Sequence, residues 1–319
     1  MPIFRTALAP AALLLALTAG CSDDSSDPTG PPDSELESVE VVNSCPALAP
    51  PVSTQVNLRT DVTYATMGGE TQRLDIAWPM TPGPHPLVVL IHGGGWSDGN
   101  KSTLRNEMLV LAGQGYAAAS LGYRLASAPR NIFPAAVQDV RCAVRWLRAH
   151  AADYAIDASH VGALGVSAGA HLVSLLGTAS NVSGLDGACP VSGAVDVDAV
   201  LSWAGPHDLR VNGPYTALQA AIVSNFLGVF PGDAPATASL ASPIAHVTAD
   251  DPPFLLVHGT VDELVPVLQS RNMLDALHDA GVRATLIELP GVGHAFFPLG
   301  SGLAPQVGCT AVSFFERWL

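Results

Sequence analysis

A serine hydroxyl is a poor nucleophile until a neighbouring base takes its proton, and that base needs an acid to hold its tautomer and balance its charge. The chain carries all three residue types, far apart in sequence. Ser167 lies in Gly165-Val-Ser-Ala-Gly169, where an apolar run, a small-residue turn and a second apolar run meet. His294 lies in Gly291-Val-Gly-His-Ala-Phe296, and Asp262 in His258-Gly-Thr-Val-Asp-Glu-Leu-Val265. Together they could drive attack on an ester carbonyl, with Ser167 as nucleophile, His294 as base and Asp262 as the orienting acid. The oxyanion formed by that attack needs preformed donors. Main-chain N–H groups of Ala168, at a helix start, and of the glycine loop at 93–95 are suited to supply them.

Each assignment has competitors. Gly95-Trp-Ser-Asp-Gly99 fits the same five-residue pattern, but Ser97 follows three glycines rather than a strand and precedes the polar Asn100-Lys-Ser102. His171 belongs to the helix after the serine, His278 to an outer helix beside Asp279, and His258 to a strand end where a backbone partner is expected. Glu263 adjoins Asp262, and Asp208 follows a strand in Trp203-Ala-Gly-Pro-His-Asp208, where orienting a cap is the expected role.

These side chains can meet only if their strands end at one sheet edge. Residues 160–166 read as a buried strand and 168–178 as a helix; Gly165 and Gly169 allow the sharp reversal between them. Val62 to Thr66 and Gln72 to Trp78 read as a hairpin. Leu87 to Ile91 is a continuous apolar run of the kind buried on both faces of a parallel sheet, ending at His92-Gly-Gly-Gly-Trp96. Strands are also expected at 117–121, 199–204, 254–258 and 284–289, with helices at 103–113, from Pro134, at 266–280 and at 311–319. On the helix after Pro134, Asp139, Arg141, Arg145 and Arg148 read as a solvated face. The segment 205–248, with a helical stretch near Tyr215 to Leu227, reads as a cap over a pocket. Alternating strands and helices predict an α/β fold with a mainly parallel sheet.

The chain has 319 residues and a net charge of −14. That acidity argues against a nucleic-acid partner, which needs clustered Lys and Arg. Residues 1–20 read as an export signal, with Arg5 before the apolar run Ala7 to Ala19. Leu17-Thr-Ala-Gly-Cys21 resembles a bacterial lipobox, which implies lipidation at Cys21 and, with Ser22 following, suggests the outer membrane or cell envelope; the alternative is ordinary secretion with cleavage nearby, leaving a periplasmic or secreted protein. Residues 21–54 are polar, acidic and Pro-containing, as expected of a tether. Cys45, Cys142, Cys189 and Cys309 remain; in an exported chain they are compatible with two disulfides in any of three connectivities. Zinc is not expected, because Cys and His show no close spacing.

With these residues in view, the chain resembles an α/β-hydrolase over residues 55–319, in particular the esterases with a His-Gly-Gly-Gly motif. His92-Gly-Gly-Gly-Trp96, Gly165-Val-Ser-Ala-Gly169, Asp262 and His294 follow in the family's order. The resemblance implies Ser167, Asp262 and His294 as the catalytic triad, and Gly94, Gly95 and Ala168 as oxyanion donors. With Gly122-Tyr-Arg124 added, the chain is similar to bacterial carboxylesterases of feruloyl- or acetyl-esterase type. The expected substrates are small, aryl or carbohydrate-linked esters, with no metal or organic cofactor, and Trp96, Trp203, Phe296 and Phe297 are candidates either for lining the pocket or for packing in the core. Two other readings share the fold: a serine peptidase of the prolyl-oligopeptidase kind, which usually carries an added propeller domain, and a non-catalytic binding module, which would be expected to lose a triad member.

Overall fold

The computed structural model describes Val52 and residues 55–211, 217–294 and 304–319. Its strands, in chain order, are β1 (Val56–Met67), β2 (Glu70–Pro79), β3 (His85–Ile91), β4 (Ala117–Leu121), β5 (Ile156–Val166), β6 (Ala199–Trp203), β7 (Phe254–Gly259) and β8 (Ala284–Leu289). They form one sheet in the order β1-β2-β4-β3-β5-β6-β7-β8. β1 and β2 form an antiparallel hairpin turned by Gly68 and Gly69, both at positive φ, the geometry that suits strand twist. β2 also meets β4 antiparallel, and every later pairing is parallel.

The helices are α1 (Arg105–Gly113), α2 (Ala135–Ala149), α3 (Ala168–Thr178), α4 (Ala217–Leu227), α5 (Pro235–Leu240), α6 (Leu268–Asp279) and α7 (Ala304–Trp318). Along β3, Leu87, Val89 and Ile91 face the layer of α2 and α3, whereas Val88 and Leu90 face Met108 of α1 and Phe315 of α7. All five are fully buried, which accounts for the unbroken apolar run. From β3 the chain goes first to β4 on one side and then to β5 on the other. The loops leaving β3 and β5 therefore diverge around a crevice at the carboxyl edge of the sheet. Between β6 and β7 lies the insertion expected at 205–248, carrying α4 and α5.

The reading of α2 as having a solvated charged face is corrected for its main members. Asp139 and Arg141 are buried. Asp139 accepts from the Arg124 backbone N–H at 2.7 Å and from its Nε at 2.9 Å, and burial pushes its carboxyl up against the pull of that guanidinium. Arg141 donates to the carbonyls of Ala179 and Ser180, both at 2.8 Å, and to Asp186. The helical period is blind to this, because the partners come from β4's exit and from the loop after α3. Charges removed from water persist only when their donors and acceptors are met in this way. The same loop is tied to α2 by the disulfide Cys142–Cys189. Cys309 is also disulfide-bonded, while Cys45, Cys21 and the whole 1–20 segment lie outside the described residues.

Candidate active site

β5 runs into α3 through a single residue, Ser167, whose φ of 54° and ψ of −119° are strained for a side chain with a Cβ. Its flanking glycines are needed for space. A Cβ on Gly165 would stand 2.3 Å from the Gly169 carbonyl oxygen, and one on Gly169 would stand 2.0 Å from that of Ile91. Close packing of α3 on β3 therefore demands glycine at both positions, and the turn it permits lifts Ser167 above the sheet edge. The Ser167 N–H donates to the Trp203 carbonyl at 2.7 Å, pinning the turn to β6.

His294 and Asp262 reach Ser167 from the loops after β8 and β7. Ser167 Oγ lies 3.0 Å from His294 Nε2, and His294 Nδ1 lies 2.7 Å from Asp262 Oδ2. The other carboxylate oxygen, Oδ1, accepts from the backbone N–H groups of Leu264 at 2.9 Å and Val265 at 2.8 Å. Burial alone would raise the Asp262 pKa; hydrogen bonds from His258 and His294 outweigh it and hold the carboxyl well below its usual range. A buried carboxylate thus faces the imidazole on the side away from the serine, so the nitrogen facing Ser167 is free to take a proton.

The glycine loop after β3 lies directly against this turn. A Cβ on Gly93 would be 2.9 Å from the Val166 carbonyl and 3.2 Å from Ser167 Cβ. Gly94 and Gly95 adopt φ values of 110° and 57°, and Ala168 opens α3, where the first N–H groups have no intrahelical acceptor. His92 is buried beneath the loop and stacks on Tyr123 with ring centroids 4.4 Å apart, while the Tyr123 hydroxyl donates to the His92 carbonyl at 3.1 Å. Tyr123 of the Gly122-Tyr-Arg124 stretch therefore braces the loop, and Arg124 anchors the brace to α2. Above the loop sits α4: a Cβ on Gly95 would meet Ile222 Cγ2 at 2.9 Å.

His171, set aside on sequence grounds as a helix residue, joins three of these parts. Trp96 Nε1 donates to its Nδ1 at 3.2 Å, and its Nε2 donates to the Ala241 carbonyl at 2.6 Å. It is fully buried, and burial pushes its pKa down to about 4. The available signal was its place four residues after Ser167, on the same side of α3. Trp96 and Trp203 are packed in the core. Trp96 is buried and stacked on Phe226 at 4.3 Å, and Trp203 packs in the layer shared with α1 and α7; Phe296 and Phe297 lie outside the described residues.

The remaining competitors lie elsewhere. Ser97 and Glu263 are exposed, and Ser97 takes part in a turn closed onto the Gly94 carbonyl. His278 is engaged with the Ala284 carbonyl on α6. Asp208 is clamped by Arg210, while Gln269 of α6 accepts from the N–H groups of His207 and Asp208, fixing the entry to the insertion. His258 has the expected backbone partner, its Nε2 lying 2.8 Å from the Val265 carbonyl.

The chain is 32% identical over 273 residues to the probable carboxylic ester hydrolase LipM of Mycobacterium tuberculosis (strain ATCC 25618 / H37Rv), a match covering 81% of this chain and 60% of LipM. It spans about half to three-fifths of the length of the curated relatives it matches. Among solved structures, a truncated carbohydrate esterase from gut microbiota superposes with a TM-score of 0.70 at 29% identity, covering 85% of this chain and 99% of that one. Est2, an esterase of Thermogutta terrifontis, superposes with a TM-score of 0.67 at 27% identity, covering 83% and 93%. The family model BD-FAE matches residues 74–277, and the chain accordingly belongs to the BD-FAE family, on an α/β-hydrolase fold.

Proposed function

We propose that the protein is a serine carboxylic ester hydrolase that works through an acyl-enzyme. The observation carrying this reading is the unbroken hydrogen-bonded line from Ser167 Oγ through His294 to Asp262 Oδ2. Ser167 Oγ attacks the ester carbonyl carbon as His294 Nε2 takes its proton. The carbonyl oxygen becomes an oxyanion within reach of the N–H groups of Gly94, Gly95 and Ala168, and collapse breaks the ester C–O bond while His294 returns the proton to the departing alcohol. Water repeats the sequence on the acyl-enzyme, releasing the acid and restoring Ser167. Losing one oxyanion donor in such a site typically costs about 3 kcal/mol of transition-state stabilisation.

Charge and the neighbours support a substrate class. A chain of net charge −14 repels anionic polymers and suits neutral esters, and similarity to a carbohydrate esterase favours acylated sugars alongside small and aryl esters. The test is hydrolysis of p-nitrophenyl, feruloyl and acetylated-xylan esters, with a peptide substrate as the competing arm. Ser167→Ala is expected to lower ester turnover by about four to six orders of magnitude with folding retained, and a fluorophosphonate probe is expected to label the peptide containing Ser167. Peptide cleavage without ester cleavage, or full activity of Ser167→Ala, would refute the assignment.

We further propose export of the chain, with residues 1–20 as signal, 21–54 as tether to the 55–319 catalytic domain, and a lipid anchor on Cys21. The Cys142–Cys189 disulfide supports an oxidising compartment. Cys21→Ser is expected to release the protein from membranes; unchanged membrane association would contradict the anchor.

A further inference from the structure

The Asp262 carboxylate is served by a second imidazole besides that of His294. His258, at the end of β7, is fully buried, and its Nε2 lies 3.3 Å from Asp262 Oδ2 and 2.8 Å from the Val265 carbonyl oxygen. Two acceptors converge on that nitrogen, so it must carry a proton. On the other side of the ring, Nδ1 lies 2.7 Å from Ser270 Oγ of α6. With the ring proton placed on Nε2 by its two acceptors, the Ser270 hydroxyl donates to Nδ1 and satisfies the ring nitrogen that faces away from the acid. The turn from Asp262 to Val265 folds around His258: one N–H holds the carboxylate at its start and the carbonyl at its end.

We propose that His258 is a positioning residue for the triad, with Ser270 pairing the ring nitrogen opposite the acid. This rests on the ester-hydrolase reading of the site and names a further residue of it. His258 does not touch the substrate. Its N–H shares Oδ2 with His294 Nδ1–H, so it fixes the carboxylate's orientation and draws off part of its charge. The other titratable groups around it are His207, from the segment after β6, and Glu288 of β8, which is paired with Arg271 of α6.

The test compares His258→Phe, which fills the space without the donor, with His258→Gln, whose amide can restore a donor near the Nε2 position, and with Ser270→Ala. Folded enzyme is used throughout, with active sites of the His258 and Ser270 variants counted by fluorophosphonate titration. His258→Phe is expected to lose about tenfold to a hundredfold in kcat, the range seen when the hydrogen-bond partners that orient metal ligands are removed, with KM changed by less than about threefold. The acid limb of kcat/KM is expected to move to higher pH, because a carboxylate relieved of one donor holds the His294 proton more firmly. His258→Gln is expected to regain most of kcat and to return the limb, and Ser270→Ala to lose about threefold to tenfold. An unmoved acid limb in His258→Phe, or a Gln variant as impaired as the Phe variant, would overturn the proposal by leaving His258 with a packing role only. If Ser167→Ala stays active in the same assay, the reading of the site itself has failed, which is a separate result.

Discussion

Replacing Asp262 by asparagine changes one atom and should remove nearly all activity. Oδ1 accepts two backbone N–H groups, from Leu264 at 2.9 Å and Val265 at 2.8 Å, so the asparagine carbonyl must take that place. The opposite orientation would set an amide NH2 against two buried donors, at about 1–3 kcal/mol for each group left unsatisfied. The NH2 therefore lands where Oδ2 now lies, 2.7 Å from His294 Nδ1, and the His258 Nε2–H keeps the Val265 carbonyl, 2.8 Å away, as its acceptor. The NH2 can only donate, so His294 Nδ1 becomes an acceptor and the ring proton moves to Nε2, which faces Ser167 Oγ at 3.0 Å. A protonated Nε2 cannot take the serine proton. The loss expected from this tautomer is about 10⁴-fold in kcat, or about 5.5 kcal/mol in the barrier. p-Nitrophenyl acetate hydrolysis at neutral pH, with folding checked by a thermal melt, measures it; Glu263→Gln, at an exposed position, should stay within about threefold of the parent. A folded Asp262→Asn enzyme retaining more than about a tenth of the parental kcat would refute the tautomer argument.

Three further outcomes can be measured. Ser97→Ala should leave turnover within about twofold, because Ser97 is an exposed turn residue; loss of activity there would reopen the choice of nucleophile. His171 is neutral in the fold, with a pKa of about 4 against an ordinary 6.5, so the unfolded chain takes the proton first and stability falls as pH drops from about 6.5 towards 4. The full interval is worth about 3 kcal/mol, and urea midpoints across it should fall less steeply for His171→Gln than for the parent; equal slopes would discount the histidine. Removing the Cys142–Cys189 bridge by a double change to alanine opens a loop with a sequence separation of 47 and should cost about 4 kcal/mol, read as a lower thermal midpoint; an unchanged midpoint would show that the bridge does not constrain the unfolded chain.

Much of the sheet was legible because burial on both faces leaves unbroken apolar runs, as in Leu87 to Ile91. Ser167 could be singled out over Ser97 because a strand precedes one and three glycines precede the other. Less could be read where partners come from distant segments. The helical period assigned Arg141 to solvent, yet the loop after α3 folds over it and supplies two carbonyls and a carboxylate. Sequence left Trp96 open between a pocket wall and the core, and the structure stacks it against Phe226 of the insertion. His171 and His258 were weighed only as rival bases, because their partners at Trp96, Ala241 and Ser270 are invisible to local pattern.

The sequence by itself determined which strands are buried and where the chain must reverse, because hydrophobic period and glycine placement are properties of neighbouring residues. It also supplied the order of serine, acid and histidine. Only the tertiary structure decided how far apart they stand, which nitrogen faces which oxygen, and which buried histidines serve the carboxylate and the glycine loop. Those are distances between segments joined through the sheet and through hydrogen bonds across it, and such contacts leave no periodic trace along the chain.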